Sequence, residues 1–213
     1  MSEVQTGPPR TRHRGRNPFG NWVAERVTEL LNRYHRRESG AIATLARLRR
    51  ELNAEPGIEL AFSGIDPLPA ELLGRAPSDE PTRFETAFHT ALTLFAFHQQ
   101  SQATHRMHVN GPSFATQVAA LASDSPSVEA VRRRFAAAGT ASSYAELRHH
   151  TRGLVAQLRA KSIGMDYGLF ADDLAVFLGP DGPAHLRGLW GRDFWRNKPS
   201  KQDQTTDDSQ EQQ

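Results

Sequence analysis

The stretch TRFETAFHTALTLFAFHQQSQ, residues 82–102, decides the fold class of this chain. Its apolar side chains recur at helical spacing and cover the predicted helix on nearly every side. They are Phe84, Phe88, Leu92, Leu94, Phe95 and Phe97. A helix with so little polar surface belongs inside a protein, with other helices packed around it. We therefore predict an all-α protein organised around this central helix.

Helical spacing of apolar residues also dominates the segments on both sides. The predicted helices, about seven or eight in all, cover residues 21–35, 41–52, 82–102, 113–121, 127–138, 143–160, 166–178 and 183–195. A single short turn is expected at residues 70–73. Ser113 and Asp166 stand where helix caps belong, and Ser143 with Glu146 has the spacing of a capping box. We find no alternation of apolar and polar residues long enough for a β-strand.

The predicted helices form two small helical-bundle lobes. We assign residues 19–110 to an N-terminal lobe and residues 111–196 to a C-terminal lobe. Residues 1–18 and 197–213 are too poor in apolar side chains to pack against either lobe. We therefore expect a disordered basic tail at the N-terminus and a disordered acidic tail at the C-terminus.

The composition excludes several classes of protein. The 213 residues contain no cysteine, which rules out disulfides and cysteine nucleophiles. No apolar stretch approaches the roughly 18 residues that a membrane-spanning helix needs, and none follows the first arginines as in a secretory signal. We expect a cytoplasmic protein that does not contact a membrane.

Candidate catalytic and metal-ligating groups are sparse. Asp172 and Asp173 stand side by side in a predicted amphipathic helix, but one carboxylate pair is too little for a metal-dependent nuclease. His98, His105 and His108 have no nearby carboxylate to complete a zinc site. We interpret His98 as a core side chain. No enzymatic activity, metal or cofactor is predicted.

Positive charge is concentrated in residues 128–161, VEAVRRRFAAAGTASSYAELRHHTRGLVAQLRAK. Seven lysines and arginines stand there against two glutamates, an excess larger than the formal net charge of +2 of the whole chain. On a helical wheel, Arg148, Arg152 and Arg159 form one stripe beside the buried face, with no acidic residue among them. Solvated helices usually interleave glutamate with arginine. The stripe therefore indicates a surface for a polyanion.

Other basic residues extend this candidate surface. Arg133 lies opposite the apolar face of its predicted helix, and LARLRR places Arg49 at the edge of another. The candidate nucleic-acid-binding residues are Arg47, Arg49, Arg50, Arg106, Arg132, Arg133, Arg134, Arg148, Arg152, Arg159 and Lys161. Two alternatives stay open at this point. The basic face can be merely solvated, and Arg49 can pair with a buried carboxylate.

The order of several segments resembles the CasB family, the small subunit of Cascade, the type I-E CRISPR surveillance complex. These segments, within residues 20–196, are SGAIATLARLRREL, ALTLFAFHQQS, VRRRFAAAGTASSYAELRHHTRGLVAQLRA, GMDYGLFADDLAVF and LWGRDFW. The resemblance implies a two-lobed helical subunit without enzymatic activity. Its implied partners are the CRISPR RNA, the target DNA, the other Cascade subunits and a second copy of the chain.

The resemblance also implies a role in binding nucleic acid and in stabilising the displaced non-target DNA strand. The positions that match the family's basic segments are Arg47, Arg49, Arg50, Arg132, Arg133, Arg134, Arg148 and Arg152. Because the phenylalanines are expected inside, we predict phosphate contacts without base stacking. A purely structural adaptor, whose arginines dock acidic patches on partner proteins, is the alternative.

Overall fold

The fold is a bundle of α-helices in a computed structural model that describes residues 13–54, 65–73 and 80–196. Nine helices lie in these ranges: α1 Pro18–His35, α2 Ser39–Arg50, α3 Ala70–Leu73, α4 Arg83–His98, α5 Phe114–Ser123, α6 Val128–Gly139, α7 Tyr144–Ala160, α8 Tyr167–Phe177 and α9 Gly182–Arg196. Within the same ranges there is no β-strand, only an isolated bridge between His108 and Met165. The all-α prediction is confirmed.

The helix ends follow the predicted caps closely. Ser113 and Asp166 accept hydrogen bonds from backbone N–H groups in the first turns of α5 and α8. At α7 the Ser143 hydroxyl accepts from the backbone N–H of Glu146, as in a capping box. The Glu146 carboxylate, however, accepts from the backbone N–H of Ser142 at 2.8 Å. The reciprocal bond has thus moved one residue toward the N-terminus.

The predicted central helix is α4. All residues from Ala87 to Ala96 are buried, and the helix packs against α2, α7 and α8. His98 lies in the core, with its Nδ1 atom 3.1 Å from the hydroxyl oxygen of Tyr167. Burial lowers the pKa of His98 to about 3, so the imidazole is neutral. The interpretation of His98 as a core side chain is confirmed.

Nearly every residue of α8 is buried. The prediction of an amphipathic helix is therefore wrong for this segment. In α8 only Val176 is not buried. The helix packs against α1, α4 and α9, which belong to both predicted lobes. One continuous set of buried apolar residues accordingly extends from Phe19 to Phe194. The lobe boundary at residues 110 and 111 stays a prediction.

Residues 13–17 bind to the body of the protein, because two of their arginines meet carboxylates at α8. Arg14 Nη2 lies 2.7 Å from Asp173 Oδ1, and Arg16 Nη2 lies 2.6 Å from Asp166 Oδ2. The disordered-tail prediction therefore does not hold for residues 13–18. The remaining tail residues, 1–12 and 197–213, lie outside the described residues.

Two glycines let α1 approach α8 closely. A Cβ atom on Gly20 would lie 2.2 Å from Asp172 Oδ2, and one on Gly168 would lie 2.3 Å from the carbonyl oxygen of Gly20. The close approach allows the Asp172 carboxylate to accept hydrogen bonds from the backbone N–H groups of Asn17 and Gly20, at 2.8 and 2.9 Å. The start of α1 is therefore fixed on α8 by a buried carboxylate.

We expect the variant Asp172→Asn to become more stable relative to the wild type as the pH rises. Burial outweighs the two N–H donors and raises the pKa of Asp172 from 3.8 to about 6. Because the folded state then binds this proton more tightly, the carboxyl group destabilises the fold as the pH rises from about 4 to about 6. Relative to the wild type, the free energy of unfolding of the variant should rise on the order of 2 kcal/mol over this pH range. Urea unfolding of both proteins at pH 4 and pH 8 measures it.

Asp166→Asn is the matched control, with the opposite sign. Burial alone would raise the pKa of Asp166, but the hydrogen bonds from Arg16 and from backbone N–H groups lower it below its usual value. This carboxylate therefore stabilises the fold above about pH 4, and its contribution is lost as the pH falls. A stability difference between wild type and Asp172→Asn that does not change with pH would contradict the prediction.

Candidate nucleic-acid interface

The predicted arginine stripe runs along the side of α7 that faces α4 and the end of α2. Arg148 Nη2 donates to the carbonyl oxygens of Leu52 and Ala54, at 3.2 and 3.1 Å. Both carbonyls belong to the chain that leaves α2. Half-buried Arg148 therefore fastens this part of the chain to α7.

The other two arginines of the stripe also have partners within the chain. Arg152 Nη1 donates to Asn53 Oδ1 at 2.7 Å. Arg159 Nη1 donates to the carbonyl oxygen of Phe97 and to Gln100 Oε1, at 3.2 and 3.1 Å. The guanidinium carbons of Arg152 and Arg159 lie 5.7 and 4.3 Å from the centroid of the Phe97 ring, within cation–π range. The acceptors named for Arg152 and Arg159 are neutral, so these contacts leave the charge of both guanidinium groups uncompensated.

A groove of about 270 Å³ lies between the chain after α2 and the side of α7. Its described lining is Leu52, Asn53, Thr90, Leu94, Ala145, Arg148, His149 and Arg152. None of these side chains is acidic. The described lining of the groove is thus basic.

The three arginines of α6 have different surroundings. Arg132 is half-buried, with its Nη1 atom 2.7 Å from Glu129 Oε1. Arg134 is exposed, with its Nη1 atom 3.4 Å from Gln157 Oε1 of α7. Arg133 is exposed and makes no hydrogen bond or ion pair with any residue that the structure describes. Of the three, Arg133 is the most available to a ligand.

The end of α2 brings further arginines beside the groove. Arg47 and Arg50 are exposed and Arg49 is half-buried, which agrees with the predicted helical wheel. Since Leu52 lines the groove, the last turn of α2 and the stripe of α7 are neighbours. Arg49 pairs with no carboxylate in the described part of the chain. The ion-pair alternative for Arg49 thus finds no support there.

The remaining two candidates contact other parts of the chain. Arg106 is exposed and donates to Asn32 Oδ1 near the end of α1, at 3.1 Å from Nη1. Lys161 Nζ lies 3.1 Å from Asp124 Oδ2, just after α5. Neither residue lines the groove, and the charge of Lys161 is compensated by its ion pair.

Three exposed arginines on α9 were not among the predicted site residues. They are Arg187, Arg192 and Arg196. The acidic residue of α9, Asp193, is buried, and its Oδ2 atom lies 3.4 Å from Arg14 Nε. The signal available in the sequence was GPAHLRGLWGRDFWR, where three arginines stand against one aspartate.

Neither a metal-binding cluster nor a membrane-spanning helix is found in residues 13–54, 65–73 and 80–196. In those ranges no three His, Asp or Glu side chains cluster in a way that could bind a metal ion. The helices described there are also too short or too polar to cross a membrane. The adjacent carboxylates of α8 are engaged by the N-terminal segment.

We expect Arg148→Ala to lower the free energy of unfolding by about 1–2 kcal/mol, because two carbonyl groups lose a charged donor at a half-exposed site. Arg133→Ala is the control: it removes the same side chain from a position without a described partner, and should change stability by less than about 0.5 kcal/mol. Urea unfolding of the three proteins makes the comparison. Equal destabilisation by both substitutions would contradict the structural role of Arg148.

We expect Gly153→Ala to raise the free energy of unfolding by about 1 kcal/mol. Gly153 is an exposed residue inside α7, and a Cβ atom there would meet nothing within 4 Å. Gly20→Ala, also in a helix, is the contrasting control, because its Cβ atom would collide with Asp172. Thermal unfolding should show a higher midpoint for the first variant and a lower one for the second. A lower midpoint for Gly153→Ala would contradict the open surroundings of Gly153.

Comparisons with known proteins identify the family. The sequence profile described as CRISPR-associated protein Cse2 matches residues 44–195. The crystal structure of CasB from Thermobifida fusca is similar to this chain, with 35% sequence identity and a TM-score of 0.65, covering 84% of this chain and 99% of that one. No curated protein sequence matches the chain. The predicted resemblance is confirmed: this chain belongs to the CasB (Cse2) family and is a subunit of the type I-E CRISPR complex Cascade.

Proposed function

We propose that this chain is a non-catalytic cytoplasmic subunit that binds the backbone of nucleic acid and stabilises the displaced non-target DNA strand during antiviral defence. The observation that supports the proposal best is the groove beside α7, whose described lining is basic and contains no acid. The exposed Arg50 and Arg133 make no hydrogen bond or ion pair with the residues that the structure describes.

The energetics of strand exchange make weak contacts sufficient. Replacing a DNA duplex by an RNA–DNA hybrid is nearly balanced in free energy, so contacts to the freed strand tip the exchange. Such contacts need cations spaced along a surface, and they need no readout of base sequence. The basic residues of α2, α6 and α7 meet this requirement.

The internal hydrogen bonds of the stripe are compatible with phosphate binding. Arg152 uses one donor on Asn53, and a guanidinium group has five N–H donors. A phosphate oxygen is also a stronger acceptor than a neutral amide or carbonyl oxygen, because the charge shortens and strengthens the bond. The contact with Asn53 therefore holds the Arg152 side chain at the groove without using all its donors.

The proposal includes several partners. The CRISPR RNA and the displaced DNA strand are the proposed nucleic-acid ligands, and a second copy of the chain is the proposed neighbour within the complex. Two copies placed end to end would continue the basic surface along the strand. The other Cascade subunits are partners through family membership.

A purely structural adaptor is the second candidate function. The contacts of Arg148 with two backbone carbonyls and the ion pair of Lys161 with Asp124 favour it, since these cations already have partners in the chain. In such an adaptor, the remaining arginines would dock on acidic patches of other subunits, and the isolated chain would bind DNA poorly.

A salt titration of single-stranded DNA binding tests the proposal. We expect log affinity to fall steeply with log salt concentration, by about 0.7 for each phosphate neutralised. The double variant Arg50→Ala and Arg133→Ala should reduce the magnitude of that slope by about 1.4 if both arginines bind phosphate.

The control double variant is Arg36→Ala and Arg37→Ala. It removes two exposed charges just before the first residue of α2, whereas Arg50 is the last residue of that helix. It should leave the slope unchanged. Weak binding that is the same for wild type and both double variants would refute the nucleic-acid role and favour the adaptor.

A further inference from the structure

The end of α9 presents an exposed tryptophan on a rigid support. Trp195 is 53% exposed. Its ring contacts Phe194 edge to face, with centroids 5.2 Å apart, and Phe194 in turn stacks on the core residue Phe135 at 4.6 Å. The position of the indole is therefore held by packed aromatic rings, while about half of its surface faces outward.

An arginine lies near this tryptophan, and the helices α6 and α9 carry several more. The guanidinium carbon of Arg132 lies 5.8 Å from the centroid of the Trp195 ring. The arginines carried by α6 and α9 are Arg132, Arg133, Arg134, Arg187, Arg192 and Arg196. The exposed acid on these two helices is Glu129, which pairs with Arg132. The described residues of α6 and α9 thus include six arginines and one exposed carboxylate.

The other two tryptophans have a different environment. Trp22 also has an arginine near its ring, Arg26 at 5.6 Å, and this arginine pairs with Asp66 as Arg132 pairs with Glu129. The Trp22 ring, however, is half-buried and packs on Phe88. Trp190 is buried. A cation near an indole is therefore not distinctive by itself. Of the three, Trp195 has the exposed ring, and it lies on a helix with three exposed arginines whose one aspartate is buried.

We propose that Trp195 is a stacking platform for a base of single-stranded nucleic acid, and that arginines of α6 and α9 hold the adjoining phosphates. The inference rests on the proposed nucleic-acid role and adds a base contact to it. Aromatic platforms in basic surroundings bind single strands with little sequence preference, because every base has a π-face. This inference departs from the predicted phosphate contacts without base stacking, because that prediction considered only the phenylalanines.

Only a strand with accessible bases can use this platform. In a duplex the faces of the bases are occupied by their neighbours, whereas a displaced strand has bases free to stack. The contact would thus distinguish the freed strand from duplex DNA, which phosphate contacts alone do not do. This selectivity is what a subunit that holds a displaced strand requires.

Oligonucleotide binding by the full-length chain tests the inference. We expect Trp195→Leu to weaken binding of a 20-residue oligothymidylate on the order of tenfold. Trp195→Phe should restore most of the affinity, because the phenyl ring still stacks. Trp22→Phe is the matched control and should bind as the wild type does. An abasic oligonucleotide of the same length should bind all four proteins equally.

Fluorescence supplies a direct readout. In the Trp22→Phe protein, Trp195 is the exposed emitter and Trp190 the buried one. Acrylamide quenches the emission of an exposed tryptophan and so identifies the Trp195 component. We expect oligothymidylate to quench the same component, and the abasic oligonucleotide to leave it unchanged. Equal quenching by both oligonucleotides would overturn the stacking inference.

The outcomes separate this inference from the proposed function. If Trp195→Leu binds oligothymidylate like the wild type while Arg50→Ala with Arg133→Ala does not, base stacking is refuted and phosphate binding stands. If the Trp195→Leu chain binds oligothymidylate normally but no longer co-purifies with other Cascade subunits, Trp195 is a protein contact. If the wild type binds neither oligonucleotide, both proposals fail.

Discussion

The burial of carboxylates at α8 is the constraint on which the rest of the structure depends. Asp166, Asp172 and Asp173 sit inside the bundle, where an uncompensated charge costs several kcal/mol. Arg14, Arg16 and the first backbone N–H groups of α1 compensate them in part, and burial still raises the pKa of Asp172 and of Asp173 to about 6. The N-terminal segment is therefore a structural part of the bundle. Because α1 follows it directly, the same contacts fix α1 on α8, and α8 in turn packs on the central helix α4.

This arrangement divides the basic residues into two groups that net charge does not distinguish. Arg14 and Arg16 neutralise buried carboxylates and contribute little to the field outside. Arg50, Arg133 and the arginines of α9 are exposed instead. The formal charge of +2 for the whole chain therefore does not describe the charge at the surface. The charge available to a partner depends on which arginines the core uses.

The sequence predicted the helices well, because their apolar spacing and caps are local properties. The N-terminal contacts were missed because a segment without apolar residues was taken to be unable to pack. The missing signal was in α8, where Asp172 and Asp173 interrupt an otherwise apolar helix and so require cations from elsewhere. The helical wheel placed Arg148 and Arg152 correctly. It could not identify their acceptors, since carbonyl groups of the chain after α2 leave no mark in residue spacing.

The contacts of the stripe fit the task of tipping a nearly balanced exchange. Arginines that were free in solution would lose side-chain entropy when a strand binds. Arg148, Arg152 and Arg159 are already ordered by neutral acceptors and by the ring of Phe97, so that loss occurs during folding. The acceptors named for Arg152 and Arg159 are neutral, so in the proposed function the charge of these two arginines would be available to a phosphate. In the proposed function, a surface of preordered cations would bind any sequence, at an affinity set by how many phosphates it reaches.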